Sequence, residues 1–150
     1  MQRILFVCHG NICRSPMAEF LFREYVTKLG RGSQFHIESA ATSTEEIGNP
    51  VYPPAARILR KRGIDCSAKR ARQLRASDRS SWDYFIGMDS RNIANMRRIL
   101  GPDAPILRLL DLTEHPRDIA DPWYTDNFDE TLADVLEGCE ALLAWLDEQR

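Results

Sequence analysis

No apolar run in the chain is long enough to cross a bilayer. Positive charge is not in excess, and cysteine is too sparse for a disulfide scaffold. The strongest apolar stretches, residues 4–7 and 141–146, fall far short of a membrane span, which needs about 20 residues. Polar His9, Asn11 and Arg14 follow the first stretch at once, so the N-terminus is not expected to act as a secretory leader. A formal net charge of −2 gives no broad field for nucleic acid or an anionic membrane, and neither is expected as a partner. Any affinity for anions must be built locally. The four cysteines, Cys8, Cys13, Cys66 and Cys139, are too few and too unevenly spaced for a secreted framework. No Cys or His pair has metal-ligand spacing, so no metal or other cofactor is expected. These absences point to a reducing, cytoplasmic compartment, where a thiol in a special position is chemical rather than structural. Repeats, low-complexity stretches and an interdomain linker are also missing, so residues 1–150 are expected to form one domain.

What is present is an alternation of strands and helices. Residues 3–7 read as a buried strand, apolar without polar alternation. A glycine-containing loop follows. Pro16 then suits the first turn of a helix, whose apolar positions recur from Met17 to Leu29 until Gly30 stops it. Residues 35–39 and 82–88 are strand candidates, as is the shorter 106–109. Helices are expected at 55–62, from a cap at Asp89 or Ser90 to Leu100, and at 128–148. This pattern predicts a three-layer α/β/α fold around a four-stranded parallel sheet, with the glycine loop joining the first strand to the first helix. Residues 110–127 show no periodicity, and so long an irregular stretch is more often functional than idle.

The chemistry concentrates between residues 8 and 16, Cys-His-Gly-Asn-Ile-Cys-Arg-Ser-Pro. In an open α/β sheet, ligands bind at the carboxyl ends of strands, where Cys8 stands. The next helix begins with amides that have no internal partners, and such a terminus holds phosphate. Gly10 and Asn11 tolerate the positive φ needed to curl successive amides inward. The same field, with Arg14, favours a thiolate on Cys8. Arg14 offers a planar fork for two phosphoryl oxygens, and Ser15 can donate to the sulfur. The bland alternatives are a buried structural cysteine, or a Cys8–Cys13 pair. Position between a buried strand and a proline-started helix favours a nucleophile in an oxyanion cradle.

The run from Val7 to Pro16 resembles the phosphate-binding signature of the low-molecular-weight protein tyrosine phosphatases. Further motifs fall in the family's order: residues 39–43, 46–50 and 71–73, then Met88-Asp89 and Asp121-Pro122. The resemblance covers essentially the whole chain. It implies hydrolysis of phosphotyrosine or other aryl phosphates through a phosphocysteine on Cys8, with inorganic phosphate or similar oxyanions held by the loop amides of His9, Gly10, Asn11, Ile12 and Cys13. It also implies that Asp121 is the general acid and base. The residues agree, since Pro122 biases Asp121 toward an extended conformation that projects its carboxyl from the loop. Trp123 and Tyr124 either anchor that loop or wall the entrance around a phenyl ring. Asn11 and Ser39 match residues that hold the loop's shape. Asp89 matches a carboxylate behind the site, although a helix cap explains it equally. The family's matching cysteines imply that Cys13 can trap oxidised Cys8 as a disulfide; the alternative is that Cys13 only fills space. Departures from the family pattern are His9 at the loop's rim, Glu45 where an aromatic often sits, Lys69 where histidine is common, and Trp123 where tyrosine is more frequent. The last three bear on substrate preference.

Two rivals remain. An arsenate reductase of this fold needs further cysteines near residues 76–92, and that stretch has none. A non-catalytic phosphotyrosine-binding module would lack the nucleophile or the acid, and Cys8 and Asp121 are both present.

Overall fold

Side chains from Ile4 to Cys8 alternate between two apolar cores, which places β1 (Gln2–Cys8) at the centre of the molecule. Ile4 and Phe6 face one core; Leu5 and Val7 face the other. A strand buried on both sides needs no polar alternation, which is why this one has none. The computed structural model describes residues 1–149. In it β1 is joined to β2 (Phe35–Ala41), β3 (Tyr84–Gly87) and β4 (Ile106–Arg108) in the order β2-β1-β3-β4, every pairing parallel.

Helices cover both faces, as expected. On the Ile4 and Phe6 face lie α1 (Arg14–Lys28), α2 (Pro53–Lys61) and the long α5 (Phe128–Glu148). Phe22 stands edge-on to both Phe6 and Phe35, with ring centroids 5.8 and 5.6 Å apart. On the opposite face α3 (Ser90–Leu100) buries Met96 and Leu100 against Leu5, Val7 and Phe85.

Two expectations need correction. The third strand starts at Tyr84 rather than residue 82, because Trp82 is drawn into the smaller core, where it also stacks on His36 at 5.2 Å. The stretch 110–127 is not wholly irregular. It opens within a 3₁₀ turn (Leu109–Leu112) and contains the one-turn helix α4 (Pro122–Thr125). Four residues are too few for helical periodicity to register, but Asp121 before Pro122 is a cap followed by a first-turn proline. No helix among the described residues is long and apolar enough to cross a membrane.

The chain leaves β1 toward β2 on one side and has β3 on the other. The crevice therefore opens at the carboxyl end of β1, beside the point where strand order reverses.

Candidate active site

The loop after β1 curls around the Cys8 sulfur. Asn11 takes a left-handed conformation (φ 58°), and its amide donates to Cys8 Sγ at 3.3 Å. Gly10 does not adopt positive φ, contrary to expectation, so Asn11 alone makes the turn. The Asn11 carboxamide nitrogen donates to Ser15 Oγ at 2.7 Å and Ser39 Oγ at 2.9 Å; its oxygen accepts from the Arg72 amide at 3.2 Å. These bonds hold an uncommon backbone conformation in place. Ser15 Oγ lies 3.0 Å from Cys8 Sγ. No side chain caps the start of α1, so its first amides are free for an anion.

Arg14 is 2% exposed, and its partners explain how a buried cation survives. Its Nη1 donates to Asp89 Oδ2 at 2.7 Å and to the Ile119 carbonyl at 2.8 Å, while Nη2 lies 3.5 Å from Asp121 Oδ2. Burial alone pulls the guanidinium down, but Cys8, Asp89 and Asp121 outweigh it and hold Arg14 above its ordinary value. Asp89 also caps α3, accepting from the Asn92 amide at 2.7 Å, so one carboxylate both caps a helix and meets Arg14. Asp121 caps α4 through the Trp123 amide at 3.0 Å and turns its other oxygen toward Arg14.

A cavity of about 60 Å³ lies over Cys8 and brings together His9 to Arg14, Glu45, Asp121, Trp123 and Tyr124. Ser15, Ser39 and Asp89 stand behind it, joined by the bonds above. Trp123 packs on Tyr52 with centroids 5.0 Å apart, whereas Tyr124 is 81% exposed. The first aromatic therefore anchors as well as walls, and the second is free to meet a ligand. At the rim His9 Nε2 and Glu45 Oε2 are 3.0 Å apart. Burial above all, then Cys8 and Asp121, push the Cys13 thiol up to about 12, so it is protonated in the resting site.

The structure moves Lys69 away from the substrate rim. Its ammonium is largely buried, donating to the Ser39 carbonyl at 2.9 Å and lying 3.3 Å from Glu19 Oε1. Glu19, 5% exposed, accepts from Ser39 Oγ and pairs with Arg23 at 2.9 Å. A chain of contacts thus runs from this buried carboxylate through Ser39, Asn11 and Ser15 to the sulfur. Lys69 thus contacts the groups behind the loop and does not line the cavity over Cys8. Glu19 went unnoticed in the sequence; its signal was a carboxylate one turn after Ser15 and one turn before Arg23, on a helix otherwise turned inward. Glu46, noted in the sequence only as the start of the 46–50 motif, also lines the cavity.

Comparisons with known proteins agree with this geometry. The family model for low molecular weight phosphotyrosine protein phosphatase matches residues 3–150. The low molecular weight protein-tyrosine-phosphatase YfkJ of Bacillus subtilis is 41% identical, with 100% of this chain and 99% of that protein covered. The crystal structure of YfkJ superposes with a TM-score of 0.95, covering 100% of this chain and 97% of that one. The human low molecular weight phosphotyrosine protein phosphatase is 34% identical over 95% of this chain and 94% of its own. A match over nearly the whole chain, to enzymes of one kind, accompanies a site in which a loop amide and a hydroxyl meet a thiol beside a buried arginine, and the chain belongs to the low molecular weight phosphotyrosine protein phosphatase family, hydrolases of phosphotyrosine.

Proposed function

We propose that residues 1–150 form a single catalytic domain that hydrolyses phosphotyrosine through a phosphocysteine on Cys8. The observation that carries this reading is the sulfur itself. It sits at the floor of the cavity, 3.3 Å from the Asn11 amide and 3.0 Å from Ser15 Oγ, with Arg14 and Asp121 on the walls. Loop amides and the outward side of the Arg14 fork receive the phosphoryl oxygens. Cys8 Sγ attacks phosphorus while Asp121 gives its proton to the departing phenolic oxygen, releasing tyrosine. Asp121, now a carboxylate, takes a proton from water as that water attacks the phosphocysteine. Inorganic phosphate leaves, and the thiolate is received by the Ser15 hydroxyl and the Asn11 amide.

Trp123 and Tyr124 supply flat walls for an aryl ring, so phosphotyrosine is favoured over phosphoserine. Inorganic phosphate and similar oxyanions compete for the loop.

The test is hydrolysis of p-nitrophenyl phosphate and a phosphotyrosyl peptide, with denaturing capture of the phosphoenzyme. Cys8→Ser abolishes turnover and capture. Asp121→Asn slows phosphotyrosine by roughly 10²–10⁴, and esters with better leaving groups less. A chelator leaves the rate unchanged. Turnover in Cys8→Ser would sink the reading.

A further inference from the structure

Asp121 must reach the leaving oxygen to within hydrogen-bond distance, yet it stands on a long connection with no strand or long helix of its own. Three consecutive residues just before it are tied to different parts of the fold. Arg117 turns to α5, 2.8 Å from Asp134 and 2.9 Å from Glu137. Ile119 is fully buried; its amide donates to the Met88 carbonyl at 2.9 Å and its carbonyl accepts from Arg14.

Between them Asp118 turns the other way. A single oxygen, Oδ1, accepts from the Ser90 amide at 2.8 Å, from Ser90 Oγ at 3.0 Å and from Arg108 Nη1 at 2.7 Å. Arg108 Nη1 also donates to Ser90 Oγ at 2.9 Å, and its Nε and Nη2 grip Asp111 Oδ1 at 2.8 and 2.6 Å. The end of β4, the start of α3 and the acid-bearing segment therefore meet at one carboxylate oxygen. Although burial pushes the Asp118 carboxyl up, Arg108 and Ser90 outweigh it and hold it below its ordinary value, so the contact is ionic at neutral pH.

The two links close a ring. Arg14 bridges Asp89 to the Ile119 carbonyl, and Asp118 bridges Ile119's preceding position to Ser90, next to Asp89. The same pair of segments is laced twice. The inner lace carries the phosphate-binding arginine; the outer one stands clear of the cavity over Cys8. Only Ala120 separates this ring from Asp121.

We propose that Asp118 is a positioning residue for the general acid, its clasp on Ser90 and Arg108 setting the reach of Asp121 over the phosphate loop. This rests on the phosphatase reading above. Releasing the clasp leaves Cys8, Arg14 and the cradle in place but lets the acid drift, and displacement by about an ångström is costly for a proton transfer.

The experiment measures kcat/KM for aryl phosphates graded by leaving-group pKa, with inorganic phosphate as a competitive probe of the cradle. Asp118→Ala is expected to lose about tenfold with the poorest leaving group and little with the best, steepening the dependence, while phosphate inhibits as before. Asp118→Asn keeps an acceptor oxygen and regains part of the loss. Ser90→Ala, an exposed change that removes a donor from the clasp, shows a smaller steepening and serves should Asp118→Ala not fold. An unchanged slope in the folded variants, or an equal loss across the series, overturns the proposal. A wild-type protein that hydrolyses none of the esters would instead overturn the phosphatase reading.

Discussion

The Arg14 fork is divided between two sets of partners. Asp89 and the Ile119 carbonyl occupy Nη1, fixing the plane of the group, while Nη2 faces Asp121 at 3.5 Å on the cavity side. A lysine has no fork and cannot hold two protein acceptors and a phosphoryl group in one plane. Arg14→Lys should therefore keep the charge yet lose about 10²–10³ in kcat, measured on p-nitrophenyl phosphate; near-native kcat would mean that charge alone suffices. Cys13 poses a different residue-scale question. Its thiol is protonated up to about 12 because burial and Cys8 disfavour a second anion nearby. Oxidised Cys8 carries no such charge, so Cys13 becomes a better partner for a sulfenic acid than its resting state suggests. After peroxide and then dithiothreitol, wild type should recover activity while Cys13→Ser drifts to irreversible loss. Equal recovery would leave Cys13 as packing only.

At the scale of elements, the site depends on how closely α5 is drawn under the sheet's edge. Gly138 is the point of closest approach. A Cβ there would collide with Leu109 Cγ and lie 2.7 Å from Leu109 Cδ2, and Leu109 is fully buried. Helix propensity alone favours alanine over glycine by about 1 kcal/mol. Overpacking costs about 1–3 kcal/mol and should win. Gly138→Ala is expected to lower the melting temperature, and because Leu109 follows directly on the Arg108 of the clasp, to lower activity before it unfolds the chain. A raised melting temperature would show that the 3₁₀ turn at Leu109–Leu112 yields easily.

Across the whole molecule, stability is bounded by ionisable groups of opposite kinds. Asp83, beside Arg3, and Asp118, beside Arg108, sit below their ordinary value of 3.8 although burial opposes this. Their stabilisation is present above that value and is lost as pH falls below it. Cys13 and Cys139 are raised above 9.0, chiefly by burial. Their contribution is intact below 9.0 and is lost as pH rises beyond it, because the unfolded chain ionises first. Urea midpoints should be flat through the neutral range and decline at both ends, and Cys13→Ser should soften the alkaline decline. A steady fall between pH 7 and 5 would contradict this assignment.

What the sequence determined by itself was local. A buried strand ending at Cys8, a turn that Asn11 can make, a proline in the first helical turn and an extended Asp121 before Pro122 are matters of about four residues, and side-chain type decides them. The layer architecture followed, because strands alternating with helices leave a parallel sheet as the way to bury both faces. Tertiary structure decided which charges work together. Arg14 meets Asp121 across 107 positions and Asp89 across 75, while Asp118 reaches Ser90 across 28. Lys69 and Glu19 look like ordinary surface charges in the sequence. They became support for the phosphate loop only when β2 was laid beside β1 and brought Ser39 between them. A charge has no role until the fold sets its burial and its partner, because an exposed ion pair is worth little whereas a buried charge is costly unless it is paired.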